Sequence, residues 1–461
     1  MSKSLLLVLF LLPSFYLYAD FENIALIEDT DGSINSSIAM GNTYLSKASC
    51  AFFKKYPQNF DIIFYFTTYK TTLFGTPEGW AVKRNIKGIG FDMPTDQSNK
   101  YCSSNGRLRH TIKLADISQW PDNPDDAFTS AINGAYNGLE VIGHEVGHLW
   151  LVGAKYKDEG GNHCTLRALM PDTQPSGGDC DGYKDSDFGI HYSYYFDSRS
   201  VMFGSFIEQT RDNEFKFYNQ KRGFSELDQY FMGIRDKSEV NDMLLVETGN
   251  ISDSSTTPLK KGETKIVIGN PKIINIGQII AALGQRDPPS DSCHLKGAFA
   301  IIYPNKQPPS AAVLQKVENY RKKWEEYYIW ATSERGSFDT TLDGSGYGTN
   351  NCPAPVNDDA GYKDSTNEDI KEDISYKDGD ITDTFQDSNP EDIFDIEKDE
   401  TTIDINTSDL SDSYLEDNSY KDYDTLTDVG NLEDISIDVT IQPDSSIDKS
   451  EDSGCSCSLM E

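Results

Sequence analysis

The sequence predicts an α+β fold in which a mixed, twisted β-sheet packs on one chemistry-bearing helix, with a smaller α/β subdomain and a long acidic tail. Three features predict it. NIALIE (23–28) and DIIFYFTTYK (61–70) are rich in β-branched and aromatic residues and read as strands. Two stretches carry apolar residues at helical spacing, one ending in VIGHEVGHLW (141–150), the other SAAVLQKVENYRKKWEEYYIWAT (310–332). At residue 353 the composition changes: 353–461 hold 33 acidic and 6 basic side chains, a net of −27, against 42 and 35, a net of −7, in the 352 residues before.

The elements follow in chain order. Lys3, the apolar run Leu5–Leu12, Pro13 and Ala19 have the anatomy of a secretory signal peptide over residues 1–19. Residues 20–115 read as strands and turns, including one or two strands in GWAVKRNIKGIGFD (79–92). A helix, continuous or broken, is expected over about 125–153, with Asn123 as cap, Pro124 at its first position and three glycines weakening its middle. Residues 155–190, rich in Gly, Asp and Cys, read as loop. SELDQYFMGI (225–234) reads as a short helix capped by Ser225. Short strands and the helix 310–332, with Val313, Val317, Tyr320 and Trp324 on one stripe, make up the subdomain 241–352. The catalytic part is thus placed at 20–240. The Asp- and Ser-rich stretch 353–454, with its recurrent YKD, reads as a disordered spacer extended by its own charge. Residues 455–461 form a distinct end piece.

The charge balance argues against a nucleic-acid partner, which needs clustered Lys and Arg. Export makes disulfides the expected state of the eight cysteines. Neighbouring couples suggest Cys50–Cys102, Cys164–Cys180 and Cys293–Cys352, with Cys455 and Cys457 left over.

His144, Glu145 and His148 form H-E-x-x-H, which chance produces in roughly one chain of this composition in two hundred. On a helix, residues four apart share a face, so the two imidazoles can address one zinc ion. Glu145 is then placed to take a proton from a water on that ion. A third ligand must come from elsewhere. The extension H-E-x-x-H-x-x-G-x-x-H fails, because position 151 is Leu and 154 is Ala. Candidates are His163, His191, Glu226 and Asp228. His191 is the first choice, and Asp228 is the alternative ligand or a second-layer partner of a histidine. Tyr192, Tyr194, Tyr195 and Tyr230 are candidates for contacting an oxyanion. The motif points to a zincin-like fold and to a polypeptide substrate.

The order GIGFD, GRLRHTIKL, VIGHEVGHLW, HYSYYFD…SVMFG, FSELDQYFMGI and AFAIIYP…VENYRKKWEEYYIWATSERGSFDTTL resembles a family of secreted bacterial proteins of myxobacterial type, regarded as zincin-like. The likeness covers about residues 60–345 and singles out Glu145, His148, Trp150, His191, Met202, Asp228, Tyr230 and Gly233. SGCSCSL (453–459) resembles the start of the C-terminal surface-sorting signal of such proteins, without its membrane helix and basic residues. Together these imply a secreted or surface-tethered zinc metalloendopeptidase; a monomer is expected, and Ca2+ is a candidate further, structural cation. The alternative is an inactive zincin-fold surface-binding or adhesion module.

Overall fold

The segment IIFYFT (62–67) is buried at every position, as a strand covered on both faces must be. Its neighbours explain why. In the computed structural model, which describes residues 21–38, 41–69, 77–90, 94–129, 134–150, 153–169, 188–248, 258–343 and 457–458, it lies in the middle of the principal sheet. The strands of that sheet are β1 (Ile24–Asp29), β2 (Ile62–Thr67), β3 (Glu78–Ala81), β4 (His110–Asp116), β5 (His294–Pro304), β6 (Ser337–Asp339) and β7 (Cys457–Ser458). Their spatial order is β1-β5-β2-β4-β3-β7, with β6 also paired to β5. β1, β5, β2 and β4 run parallel; β3 and β7 are antiparallel additions at one edge. The sheet is therefore mixed and the class α+β, as expected.

Helices cover both faces. α1 (Gly41–Phe53) buries Tyr44, Leu45, Ala48 and Phe52 against Ile63, Tyr65, Ala298 and Ala300. α2 (Gly138–Gly147) and α5 (Ala311–Ala331) close over Phe64, Phe66, Ile112, Leu114 and Phe299 on the other side. Phe64 stacks on Phe299 at 4.5 Å and meets Trp324 edge-on at 5.8 Å. Each such buried side chain contributes about 1.5–3 kcal/mol. α3 (Glu226–Met232) and α4 (Ile276–Leu283) complete the helices. A smaller antiparallel sheet of Phe206–Arg211, Glu214–Tyr218 and Thr264–Ile268 has its own cluster around Tyr194, Phe215 and Phe217.

Several expectations need correction. Residues 20–115 are not strands and turns alone: 41–53 is helical, with Tyr44, Leu45, Ala48 and Phe52 on its buried face. The long helix from about 125 is a ten-residue helix starting at Gly138. Gly134 adopts φ +78°, outside the helical region, and Asn137 then caps a new start. The stretch 155–190 contains short strands, Lys155–Lys157 and His163–Thr165. Residues 241–352, expected as a subdomain, supply β5 between β1 and β2. Ser225 caps α3, as anticipated, and Ser310 caps α5.

Cys50 and Cys102 are bonded to each other. Cys164 and Cys293 are also in disulfides; their expected partners, Cys180 and Cys352, lie outside the described residues. So do the expected signal peptide and the acidic spacer. No helix among the described residues is long and apolar enough to cross a membrane.

Candidate metal centre

α2 begins where Asn137 accepts from the Glu140 amide and Glu140 returns the bond to the Asn137 amide. Every residue of the helix is buried. Gly138 is needed for packing: a Cβ there would stand 2.5 Å from Tyr320 Oη on α5. His144 lies in the last turn and His148 is the residue that ends it, so both project from one face. Their ring centroids are 4.7 Å apart and nearly perpendicular.

The third imidazole comes from His191, on the strand Phe188–Tyr192. Its Nε2 lies 3.1 Å from His144 Nε2, and His148 Nε2 lies 3.1 Å from the same atom. These three nitrogens form one compact group, all within 4.8 Å of one another. The alternatives are elsewhere. Asp228 accepts from Tyr192 Oη at 2.8 Å, from Ser200 Oγ and from the Ser225 amide at 2.8 Å. It therefore braces the chain next to His191 and is not part of the histidine group. Glu226 is held at the surface by Asn241 and Arg235, and His163 is exposed.

The segment SVMFG (200–204) forms the floor. Val201 O lies 2.7 Å from His144 Nδ1 and also accepts from Tyr136 Oη at 2.8 Å. A carbonyl only accepts, so His144 carries its proton on Nδ1 and presents a bare lone pair at Nε2. Phe203, at φ +73°, stacks on His144 at 4.9 Å and contacts His191 at 4.2 Å. A bulky residue rarely adopts that conformation, and the amide of Phe203 is fixed there by Tyr136 Oη at 3.1 Å. Met202 is buried in the main core.

Burial dominates the electrostatics. It lowers His144 to about 4 and pushes His148 and His191 well below the ordinary histidine range, with the neighbouring rings adding to the effect on the last two. The three imidazoles are thus neutral at pH 7. Glu145 is 0 % exposed, and neither carboxylate oxygen has a hydrogen-bond partner. Burial raises its proton affinity well above the usual carboxylate range; Glu78 raises it further, whereas Lys113 and the nearby Gly79 amide oppose. Glu78 and Lys113 form a 2.8 Å ion pair on β3 and β4. His110 Nε2 meets Glu145 O at 2.9 Å, tying α2 to β4.

The tyrosines expected near an oxyanion are engaged elsewhere. Tyr192 donates to Asp228, Tyr230 Oη accepts from the Arg286 amide, and Tyr194 and Tyr195 pack in the smaller cluster. Trp150 packs under the Arg109 guanidinium, whose partner is Asp291. Sequence reasoning missed Val201, Tyr136 and Phe203, which orient His144, and Gly79 and His110, which seat the helix on the sheet. A backbone carbonyl leaves no side-chain signal; SVMFG stood out through its place in the family resemblance and through Met202, not through Val201 or Phe203.

No protein-family model, curated relative or solved structure matches this chain.

Proposed function

We propose that the chain is a zinc-dependent metallopeptidase of zincin type, with His144, His148 and His191 as ligands and Glu145 as general base. The observation that carries this reading is the convergence of three neutral imidazole nitrogens, with Glu145, whose buried carboxylate has no partner, following His144 on the same helix. One lone pair on His144 Nε2 cannot accept good hydrogen bonds from two rings at once. A cation answers that conflict. Four-coordinate zinc at about 2.0–2.1 Å spaces its ligand nitrogens about 3.3 Å apart, close to the two 3.1 Å separations. Three imidazoles with no thiolate also suit a catalytic site, which keeps a position open.

Zinc held there would polarise a peptide carbonyl and bring the pKa of a bound water to about 7. Glu145 is the base that takes that water's proton. Its raised proton affinity keeps the proton available for the departing amine. Val201 O fixes the His144 tautomer, and Asp228, through Tyr192, steadies the strand that carries His191. The signal-like N-terminus and the SGCSCSL stretch support secretion or surface tethering.

One feature favours a second reading, a metal-binding surface module without turnover: His144 and Glu145 are 0 % exposed and His148 is 2 % exposed, and only His191 of the three imidazoles is partly exposed, so little of the group faces a substrate. Metal analysis with a casein-hydrolysis assay separates the two. The metallopeptidase reading expects one zinc per chain and hydrolysis, with Glu145→Ala keeping the zinc and losing at least about a hundredfold in rate. Zinc without hydrolysis leaves the binding module, and a chain without stoichiometric zinc overturns both.

A further inference from the structure

His144 takes its orientation from Val201, and Val201 is held from two sides. Its carbonyl meets His144 Nδ1 at 2.7 Å. Its amide donates to Gly223 O at 2.9 Å, and Ser200 pairs with Gly223 as an isolated bridge. The turn that carries Val201 is unfavourable by itself: Phe203 and Gly204 have φ of +73° and +74°. For a residue as bulky as Phe203, such a backbone persists only where its surroundings impose it.

Arg222 supplies that restraint. Its Nη1 donates to Ser200 O and to Gly204 O, each at 3.2 Å, so one nitrogen joins the two ends of the turn. The guanidinium is 1 % exposed and lies against the rings of Tyr136, at 5.4 Å, and Phe206, at 5.1 Å. Tyr136 in turn bonds Val201 O and the Phe203 amide. The main chain of Arg222 is tied to two helices. Its amide donates to Glu140 Oε1 at 2.6 Å, in the first turn of α2, and its carbonyl accepts from Tyr327 Oη at 2.7 Å, on α5. One residue therefore links the turn to the helix that carries His144. Stability alone gives little reason for a cation here. Among the described residues Nε and Nη2 have no hydrogen-bond partner, and a buried charge so sparsely satisfied costs free energy.

We infer that Arg222 is a positioning residue of the metal centre: by joining Ser200 O to Gly204 O it fixes Val201 O against His144 Nδ1, and so sets the ring whose Nε2 meets His148 and His191. The inference rests on the metal reading of this site for its effect on zinc, and on hydrogen bonding alone for its effect on the His144 ring. Lysine is a poor substitute. Its ammonium keeps the charge but lacks the planar, stackable fork that lies against Tyr136 and Phe206 while holding the two carbonyls.

The test uses the full chain as wild type, Arg222→Met, Arg222→Lys and a control, Phe52→Leu, which loosens the core on the opposite face of the sheet. Two quantities are read: the proton NMR signal of His144 Nδ1–H in metal-free protein, and zinc affinity by competition with a chelator. Wild type and Phe52→Leu should share a sharp, slowly exchanging signal and one affinity. In Arg222→Met the signal should be lost or shifted, and zinc should bind about 10–100-fold more weakly, the usual cost of removing an outer partner of a metal ligand. Arg222→Lys should shift the signal and fall between the two in affinity. Wild-type signal and affinity in Arg222→Met overturn the inference. So do equal losses in Phe52→Leu, which a merely structural role would produce. A lost signal with unchanged zinc affinity overturns the role in the metal centre. Should Arg222→Met fail to fold, Arg222→Lys carries the same comparison, and wild-type behaviour there overturns the inference. Absence of zinc binding in the wild type defeats the metal reading instead, and the His144 signal still decides whether Arg222 sets the ring.

Discussion

Replacing Glu145 with methionine should make the metal-free protein more stable while destroying its activity. Both carboxylate oxygens are buried without a hydrogen-bond partner, and burial already holds the group well above the ordinary carboxylate range. A buried polar group left unsatisfied costs about 1–3 kcal/mol, and a charged one more. Methionine is unbranched, similar in length and apolar, so it refills the space with little strain. The expected gain is about 2 kcal/mol, or about 4 °C in thermal midpoint at the roughly 2 °C per kcal/mol of a domain this large. Calorimetry of chelator-treated wild type and Glu145→Met measures it. In zinc-loaded protein the gain should shrink, because the wild-type carboxylate then has a water to bind. A metal-free variant that melts below the wild type would show that Glu145 is satisfied in the fold, and the case for a poised base would fail with it.

Two other predictions concern the surrounding groups. Asp228→Asn should retain one zinc per chain, because the carboxylate braces Tyr192 and Ser200 and lies outside the histidine group; loss of stoichiometric zinc would return it to the ligand set. The same variant isolates a pH effect. Burial raises Asp228 to about 6 from 3.8, so between those values the folded chain holds a proton that the unfolded chain has released, and wild-type stability falls as pH rises through that window. Relative to wild type, the asparagine form should therefore gain about 3 kcal/mol between pH 4 and 7, read from urea midpoints; a constant difference refutes it. For zinc the sign is opposite. Burial keeps His144 unprotonated down to about 4, with His148 and His191 also depressed, so protons compete poorly for the site. Zinc should be retained at pH 5.5, where exposed histidines are mostly charged; release with a midpoint near 6.5 would contradict this.

The legible parts of the sequence were those where side-chain type alone carries the information. The run 62–67 announced a buried strand, and H-E-x-x-H announced two imidazoles on one face. Ser225 announced a helix start. His191 was separable from Asp228 only by folding, since both sit in apolar, aromatic surroundings and their distance from α2 is a tertiary property. The spacing of Tyr44, Leu45, Ala48 and Phe52 in α1 was readable and was passed over, because the flanking strands set the expectation for the whole region. The glycines of 134–143 marked a helix that is weakened or broken, but not where the break falls. Gly134 is a break in the backbone, and Gly138 is where α5 comes closest.

The position of β5 bears on how this chain reaches its native state. Residues 294–304 lie between β1 and β2, which begin at residues 24 and 62. Neither N-terminal strand can complete its ladder until a segment more than two hundred residues later arrives. Pairings of such sequence separation form slowly, because the loop they close costs entropy before the contact stabilises it. A nascent chain would therefore emerge with the strand between β1 and β2 missing and one edge of the apolar run 62–67 unpaired. The full sheet is therefore absent until β5 has been made, and the helix that carries His144 and His148 has no completed sheet to pack on before then.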